Sequence, residues 1–330
     1  MYIKRNIDTK LILRYAWKNL IFFTLWALLV GCLFYYGDIH FLRIPFQPLT
    51  VIGIAVAFYL GFKNGQSYDR FWEARKIWGG IVNYSRTWAN QVLSLGEIDK
   101  NTQKTMVYRH LAWINALRIQ LRQPTSFSIK ENASVEALFN KHGERNPACD
   151  AVAEFISSEE YSDLDNRKNV ATHLVKLQAR EVKKIESDGK ISEFDKQILH
   201  HTLEELYNLQ GMCERIKNTP FPRQYAYFST LFTWIFILLL PLGLLDIFDG
   251  QFEASQKNAT VALLVPLSVL ISWVFVTMEK VGSNSEDPFE GRVNDVPMTA
   301  LCRTIEIDLR DMLDETDLPP KVQPKDNILY

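Results

Sequence analysis

Residues 59–79, YLGFKNGQSYDRFWEARKIWG, begin as the end of an apolar run and continue as a charged segment that keeps its aromatic residues at helical spacing. The run before it, residues 44–62, carries no charge, and Pro45 and Pro48 place the start of its helix near Pro48. Beyond Phe62 the apolar positions Tyr68, Phe71, Trp72, Trp78, Ile81, Val82, Trp88 and Val92 recur at steps of broadly three to four. No proline follows before Pro124, and the glycines at 61, 65, 79 and 80 loosen a helix without ending it. One helix from about residue 48 to 95 would be roughly 70 Å long, more than twice a hydrocarbon core of about 30 Å. The stretch therefore reads as a single element joining a membrane part to an aqueous one, with Asp69, Arg70, Glu73, Arg75 and Lys76 on its wet faces.

Three further apolar runs, at residues 20–37, 224–245 and 258–278, make four candidate spans. A spanning helix needs roughly 20 mainly apolar residues. Pro241 and Pro266 lie inside the last two runs, where each removes a backbone donor, so both predict burial against neighbouring helices. Lys4, Arg5, Lys10, Arg14 and Lys18 precede the first span, whereas the short loops after the first and third hold only Arg43 and Lys257. By the positive-inside rule both termini, the long middle and the tail are expected in the cytoplasm. The first run lacks a small-residue cleavage site and is expected to stay. The expected divisions are 1–63 (arm and first two spans), 64–223 (cytosolic helices), 224–278 (last two spans) and 279–330 (cytosolic segment and tail).

In the polar middle, Met106, Leu111, Ile114, Leu117 and Leu121 repeat at helical spacing with Arg109, Arg118 and Arg122 expected outside. Residues 123–166 read as a looser excursion, with the acidic stretch 157–165 as a solvated loop. Helices resume at 167–187 and 192–217, the second capped by Ser192 with Asp195 three residues on. The Pro220 and Pro222 pair breaks the chain before the third span. The tail from Asp317 is Pro-rich and polar, and is expected to be mobile in isolation or to wrap a neighbouring subunit.

The formal charge of −1 gives no field that would attract nucleic acid. The four cysteines, at 32, 149, 213 and 302, are dispersed and suit reduced thiols, and His200–His201 reads as a solvated face. No phosphate-binding loop, dinucleotide fingerprint, zinc-protease motif or nucleophile elbow occurs, so no enzyme, cofactor or metal site is expected. Uncharged spans disfavour a proton-coupled transporter.

Within the second span Val51, Ile54, Phe58 and Phe62 share one helical face. Either that face packs against neighbouring helices, or copies of it surround an axis and form hydrophobic rings that gate by dewetting, which requires a symmetric oligomer.

Four stretches together resemble the bestrophin family, and more closely its bacterial members: GFKN…YDRFWEARK.WG at 61–79, YRHLAWINALR at 108–118, CERI.NTP.P at 213–222, and EDPF followed by NDVPM.ALCRTIE at 286–306. The resemblance implies an all-α membrane protein with four transmembrane helices continuous with a large helical cytosolic region, assembled as a homopentamer around a central pore. It implies a hydrophobic neck at Ile54, Phe58 and Phe62, and a lower constriction at Gln197 or Ile198. Expected partners are a second copy of the chain, the lipid bilayer and permeant monovalent ions, either anions such as chloride or cations such as sodium. The alternative is a membrane scaffold without ion flux. Animal members clasp calcium after the equivalent of EDPF; here Asp287, Glu290 and Asp295 remain but Arg292 intrudes, so calcium activation is not expected.

Overall fold

The computed structural model describes residues 1–7, 9–124, 148, 151–249 and 257–330. Most of the excursion expected at 123–166, including Cys149, and residues 250–256 lie outside the described residues. Among the described residues the chain is helical apart from isolated bridges at Tyr2–Ile328 and Lys325–Ile328. In order, the helices are α1 (Thr9–Tyr35), α2 (Phe46–Ser94), α3 (Lys100–Arg122), α4 (Ser158–Asp165), α5 (Val170–Ser187), α6 (Glu193–Asn218), α7 (Arg223–Asp249), α8 (Lys257–Ser285) and α9 (Met298–Met312). A single 3-10 turn at His40–Leu42 precedes α2.

Two compact units form. An apolar unit holds Lys4–Asp69 and Phe221–Glu286, and a polar unit holds Met1–Ile3, Arg70–Pro220 and Asp287–Tyr330. α2 supplies residues to both, and it is one uninterrupted helix of 49 residues. Four helical segments are long and apolar enough to cross a membrane: Tyr15–Tyr35, His40–Ser94, Arg223–Asp249 and Asn258–Ser285.

In the apolar unit α1, α7 and α8 pack on one another. Val30, Phe34, Leu49, Val56, Leu60, Phe236, Leu240, Leu244 and Leu264 form its principal core. Both proline-containing helices run through without a break. Pro241 is buried as expected, but Pro266 is exposed on the outward side of α8, so burial within the chain does not cover that interruption.

In the polar unit α3 is the central element, with α5, α6 and α9 packed around it. That position corrects the expected two-faced α3. It is buried nearly all round, so its arginines cannot sit in water. Arg109 is buried, donating from Nε to Glu160 Oε1 at 2.9 Å and from Nη1 to Gln178 Oε1 at 3.2 Å. Arg122 donates to Asp295 at 3.2 Å. Paired in this way, a buried guanidinium avoids the penalty of an uncompensated charge. The acidic stretch 157–165 is likewise corrected: it forms the short helix α4, capped by Ser157, and its Glu160 is the partner of Arg109.

Helix ends are satisfied locally. Asp99 caps α3, Asn169 caps α5, and Ser192 with Asp195 forms a full capping box on α6. The C-terminal tail is pinned rather than loose: Ile3 N donates to Asn327 O at 3.0 Å, Leu329 N to Met1 O at 2.9 Å, and Ala300 N to Tyr330 O at 2.7 Å. These pairings satisfy backbone donors that a free tail would leave to water.

Where α2 and α3 meet in the polar core, His110 lies between the rings of Trp88 and Trp113. The Ser85 hydroxyl donates to Ile81 O, which leaves its oxygen to accept from His110 Nε2–H at 2.8 Å. Burial pushes the His110 imidazole down to about 3. The unfolded chain takes up a proton near pH 6.5 while the folded one does not, so stability falls as pH drops from about 6.5 toward 3. We expect the polar unit to lose up to about 2 kcal/mol between pH 7 and 5 on this account, and His110→Gln to flatten that slope in thermal melts.

Candidate functional site

The apolar half of α2 has two faces of opposite character. Leu49, Val56, Leu60, Lys63 and Ser67 are buried, at helical spacing, against the rest of the apolar unit. Gly53 belongs to this face, since a Cβ there would lie 2.8 Å from Phe236 Cε2. The other face carries Val51, Ile54, Phe58 and Phe62, with exposures of 68, 66, 79 and 46%. Among the described residues, nothing covers these four side chains beyond a partial contact at Phe62, whose ring lies 5.7 Å from that of Tyr225. Tyr225 also stacks on Tyr59, at 6.0 Å, so α7 steadies the Phe62 end of the row. Among the described residues, the chain's own helices do not pack against this face. Farther along, Tyr68 and Trp72 are exposed as well, although the sequence pattern groups them with the buried Trp78, Ile81, Trp88 and Val92.

Directly after Phe62 comes a buried charge that a search for charges within the runs does not find. Lys63 is 1% exposed, and its Nζ donates to Ser283 Oγ at 2.7 Å and to Glu279 Oε1 at 3.2 Å, with Glu286 Oε2 at 3.8 Å. Thr230 and Ser283 each donate to the same Glu279 oxygen at 2.8 Å. The apolar runs end at 62 and 278, but α2 and α8 continue beyond them, and their continuation brings cation and carboxylates together. The only sequence signal for it is that Lys63 follows the row at Leu60 by three residues and so falls on the buried face.

Gln197 and Ile198 lie in the polar unit, in the second turn of α6, and both are exposed. Phe194, one turn earlier, is 78% exposed and was not singled out by the sequence.

In the loop after α8, Phe289 and Gly291 adopt positive φ, which curls the backbone around Asp295. One oxygen of that carboxylate accepts from Phe289 N at 2.8 Å and Val296 N at 2.6 Å, and the other from Gly291 N at 2.6 Å and Arg122 Nη1 at 3.2 Å. Glu290 accepts from Lys217 Nζ at 2.5 Å, both side chains being buried. Two carboxylates of this loop are thus already held by cations of the same chain. Among the described residues no cluster of three or more His, Cys, Asp or Glu side chains is placed to hold a metal ion.

Residues 7–311 match the family described as Bacterial/Fungal Bestrophin protein. The chain belongs to that bestrophin family. Its relatives include a voltage-dependent anion channel-forming protein of Mesorhizobium japonicum, 30% identical over 86% of this chain and 79% of the relative. A protein of the same description from Escherichia coli K12 is 25% identical over 97% of this chain and 90% of its own length. Among solved structures, a bacterial bestrophin homolog from Klebsiella pneumoniae superposes with a TM-score of 0.75 at 24% identity, covering 90% of this chain and 97% of that one. That likeness carries the bestrophin fold.

Two outcomes follow from the geometry. Replacing Lys63 with Met leaves Glu279 and Glu286 buried without their cation, and breaking a buried pair in this way costs about 3–5 kcal/mol. A clear drop in melting temperature of the K63M protein is expected, with the exposed-site variant Lys183→Met as an unchanged control. Calcium chelation or addition is expected to leave the melting temperature unmoved, because a ligand that binds only the folded state would raise it.

Proposed function

We propose that the chain is a channel subunit which assembles as a homopentamer and passes small monovalent anions, of the chloride class, through a neck lined by Ile54, Phe58 and Phe62. The observation that carries this reading is the bare row on α2. Four large apolar side chains in register on one face need a cover that the subunit does not provide, and a symmetric ring of copies supplies it while leaving a narrow axial path. The relatives' description as anion channel-forming proteins favours anions over monovalent cations, which the residues themselves leave open. Family and relatives alike make the protein a channel and not an enzyme.

In this reading Gln197 and Ile198 contribute the lower constriction, with the exposed Phe194 beside them. The neck side chains carry no charge, so the preference between ions comes from polar surroundings and not from the neck itself. The chain lies in the bacterial inner membrane with both termini cytoplasmic. This placement is supported by the five basic residues ahead of the first span, and by Met1–Ile3 and the C-terminal tail belonging to the same unit as the long middle segment.

The test is a reversal potential in planar bilayers under a potassium chloride gradient. We expect it to move toward the chloride equilibrium potential. Movement toward that of potassium would transfer the reading to cations, and no current from an intact oligomer would leave a membrane scaffold. Phe58→Ala is expected to raise single-channel conductance by at least about twofold without lowering the melting temperature, since the side chain makes little contact within its own subunit.

A further inference from the structure

Two of the four sequence stretches that carry the family resemblance converge on a place the conduction pathway does not use. Asn115 and Arg118, at the end of α3, and Thr299, Cys302, Arg303 and Glu306, on α9, line a cavity of about 420 Å³ in the polar unit. Its opposite wall is made by the short segment that holds Ala151, Ala153, Glu154 and Phe155. The volume falls within the range of small-molecule sites.

The charges around it are unevenly matched. Glu306 already accepts from Arg303 at 3.1 Å and from Arg310 at 3.4 Å. Arg118 is different. Its Nη2 donates to Asn115 Oδ1 at 3.3 Å, it also shares a side-chain hydrogen bond with Cys302, and among the described residues its Nε is buried without a partner and no carboxylate lies within ion-pairing distance of it. Every other partly or fully buried guanidinium on α3 has an acidic partner: Arg109 has Glu160, and Arg122 has Asp295. Arg118 lines the cavity, and a guanidinium with no carboxylate partner is suited to a carboxylate, which accepts from two donors at once. Thr299 adds a hydroxyl to the lining, and Ala151, Ala153 and Phe155 add apolar surface. Glu154 is exposed at this segment and favours a ligand with one negative charge over a more highly charged one.

We propose that this cavity is a binding site for a small organic monocarboxylate, its carboxylate held by Arg118 and Thr299 and its short apolar tail against Ala151, Ala153 and Phe155. The site is separate from the neck, and it stands whether or not the protein conducts.

The experiment is a titration of the intact detergent-solubilised protein with sodium butyrate, followed by ligand-observed NMR at constant ionic strength. Saturable binding at one site per chain is expected. Arg118→Gln should weaken it at least about 10-fold, the scale of a lost charge-assisted contact, and Arg118→Lys by less, since charge remains while the fork is gone. Lys183→Gln, which removes an exposed charge on α5, should leave affinity unchanged. The absence of saturable binding overturns the proposal, as does equal weakening by Lys183→Gln or displacement of butyrate by chloride at equal concentration. If Arg118→Gln lowers the melting temperature, Thr299→Ala decides: a several-fold weaker affinity supports the site, and an unchanged one removes it.

Discussion

The structure depends on the unbroken backbone hydrogen bonding of α2. Within a bilayer every peptide group must find its partner inside the element, and a helix does this without help. In water the same helix survives only if one of its faces is buried. α2 meets both conditions along 49 residues, burying Leu49, Val56 and Leu60 in one core and Trp78, Ile81, Trp88 and Val92 in another. Because neither condition requires a break, the chain keeps its helical phase, and the charged residues of the opening stretch are accommodated without a turn.

That economy leaves α2 with surplus apolar surface. A helix that buries one stripe in its own subunit has an opposite stripe whose composition is free to be polar, as in most surface helices. Here it is Val51, Ile54, Phe58 and Phe62. Lipid would tolerate such a row, but lipid does not require large aromatic residues in helical register followed at once by a buried lysine. The Lys63 cluster ties the helix to α8 through charge-assisted hydrogen bonds at the point where the row ends, which fixes the rotation of α2 about its own axis and so the direction in which Phe58 and Phe62 face.

The four spans, the length of α2, the cap of α6, and the two-faced apolar half of α2 were all legible, because each rests on local periodicity or on a short-range hydrogen bond. The burial of Arg109 and Arg122 was not. A charged residue on a helix reads as solvent-facing unless its partner is known, and Glu160 and Asp295 lie 51 and 173 residues away along the chain. The acidic stretch around Glu160 was misread for the same reason: its charge looks solvated until Arg109 is placed beside it. The pinned tail was equally hidden, since its partners are backbone groups at the other end of the chain, and backbone groups leave no trace in composition. For the proposed neck positions, the sequence could place the row on one face, but whether that face is covered is a property of the folded subunit.

The loop after α8 shows how the same long-range charges bear on regulation. A carboxylate-rich loop can be organised by a metal ion or by the protein's own cations, and the two solutions exclude each other where the same oxygens are used. Asp295 spends its oxygens on three backbone N–H groups and Arg122, and Glu290 has Lys217. For a calcium ion to enter, these ammonium and guanidinium groups would have to leave a buried site, each stranding its own charge at a cost of several kcal/mol. The loop is therefore organised by the chain's own covalently attached cations, whose effective concentration does not vary with the cell's calcium.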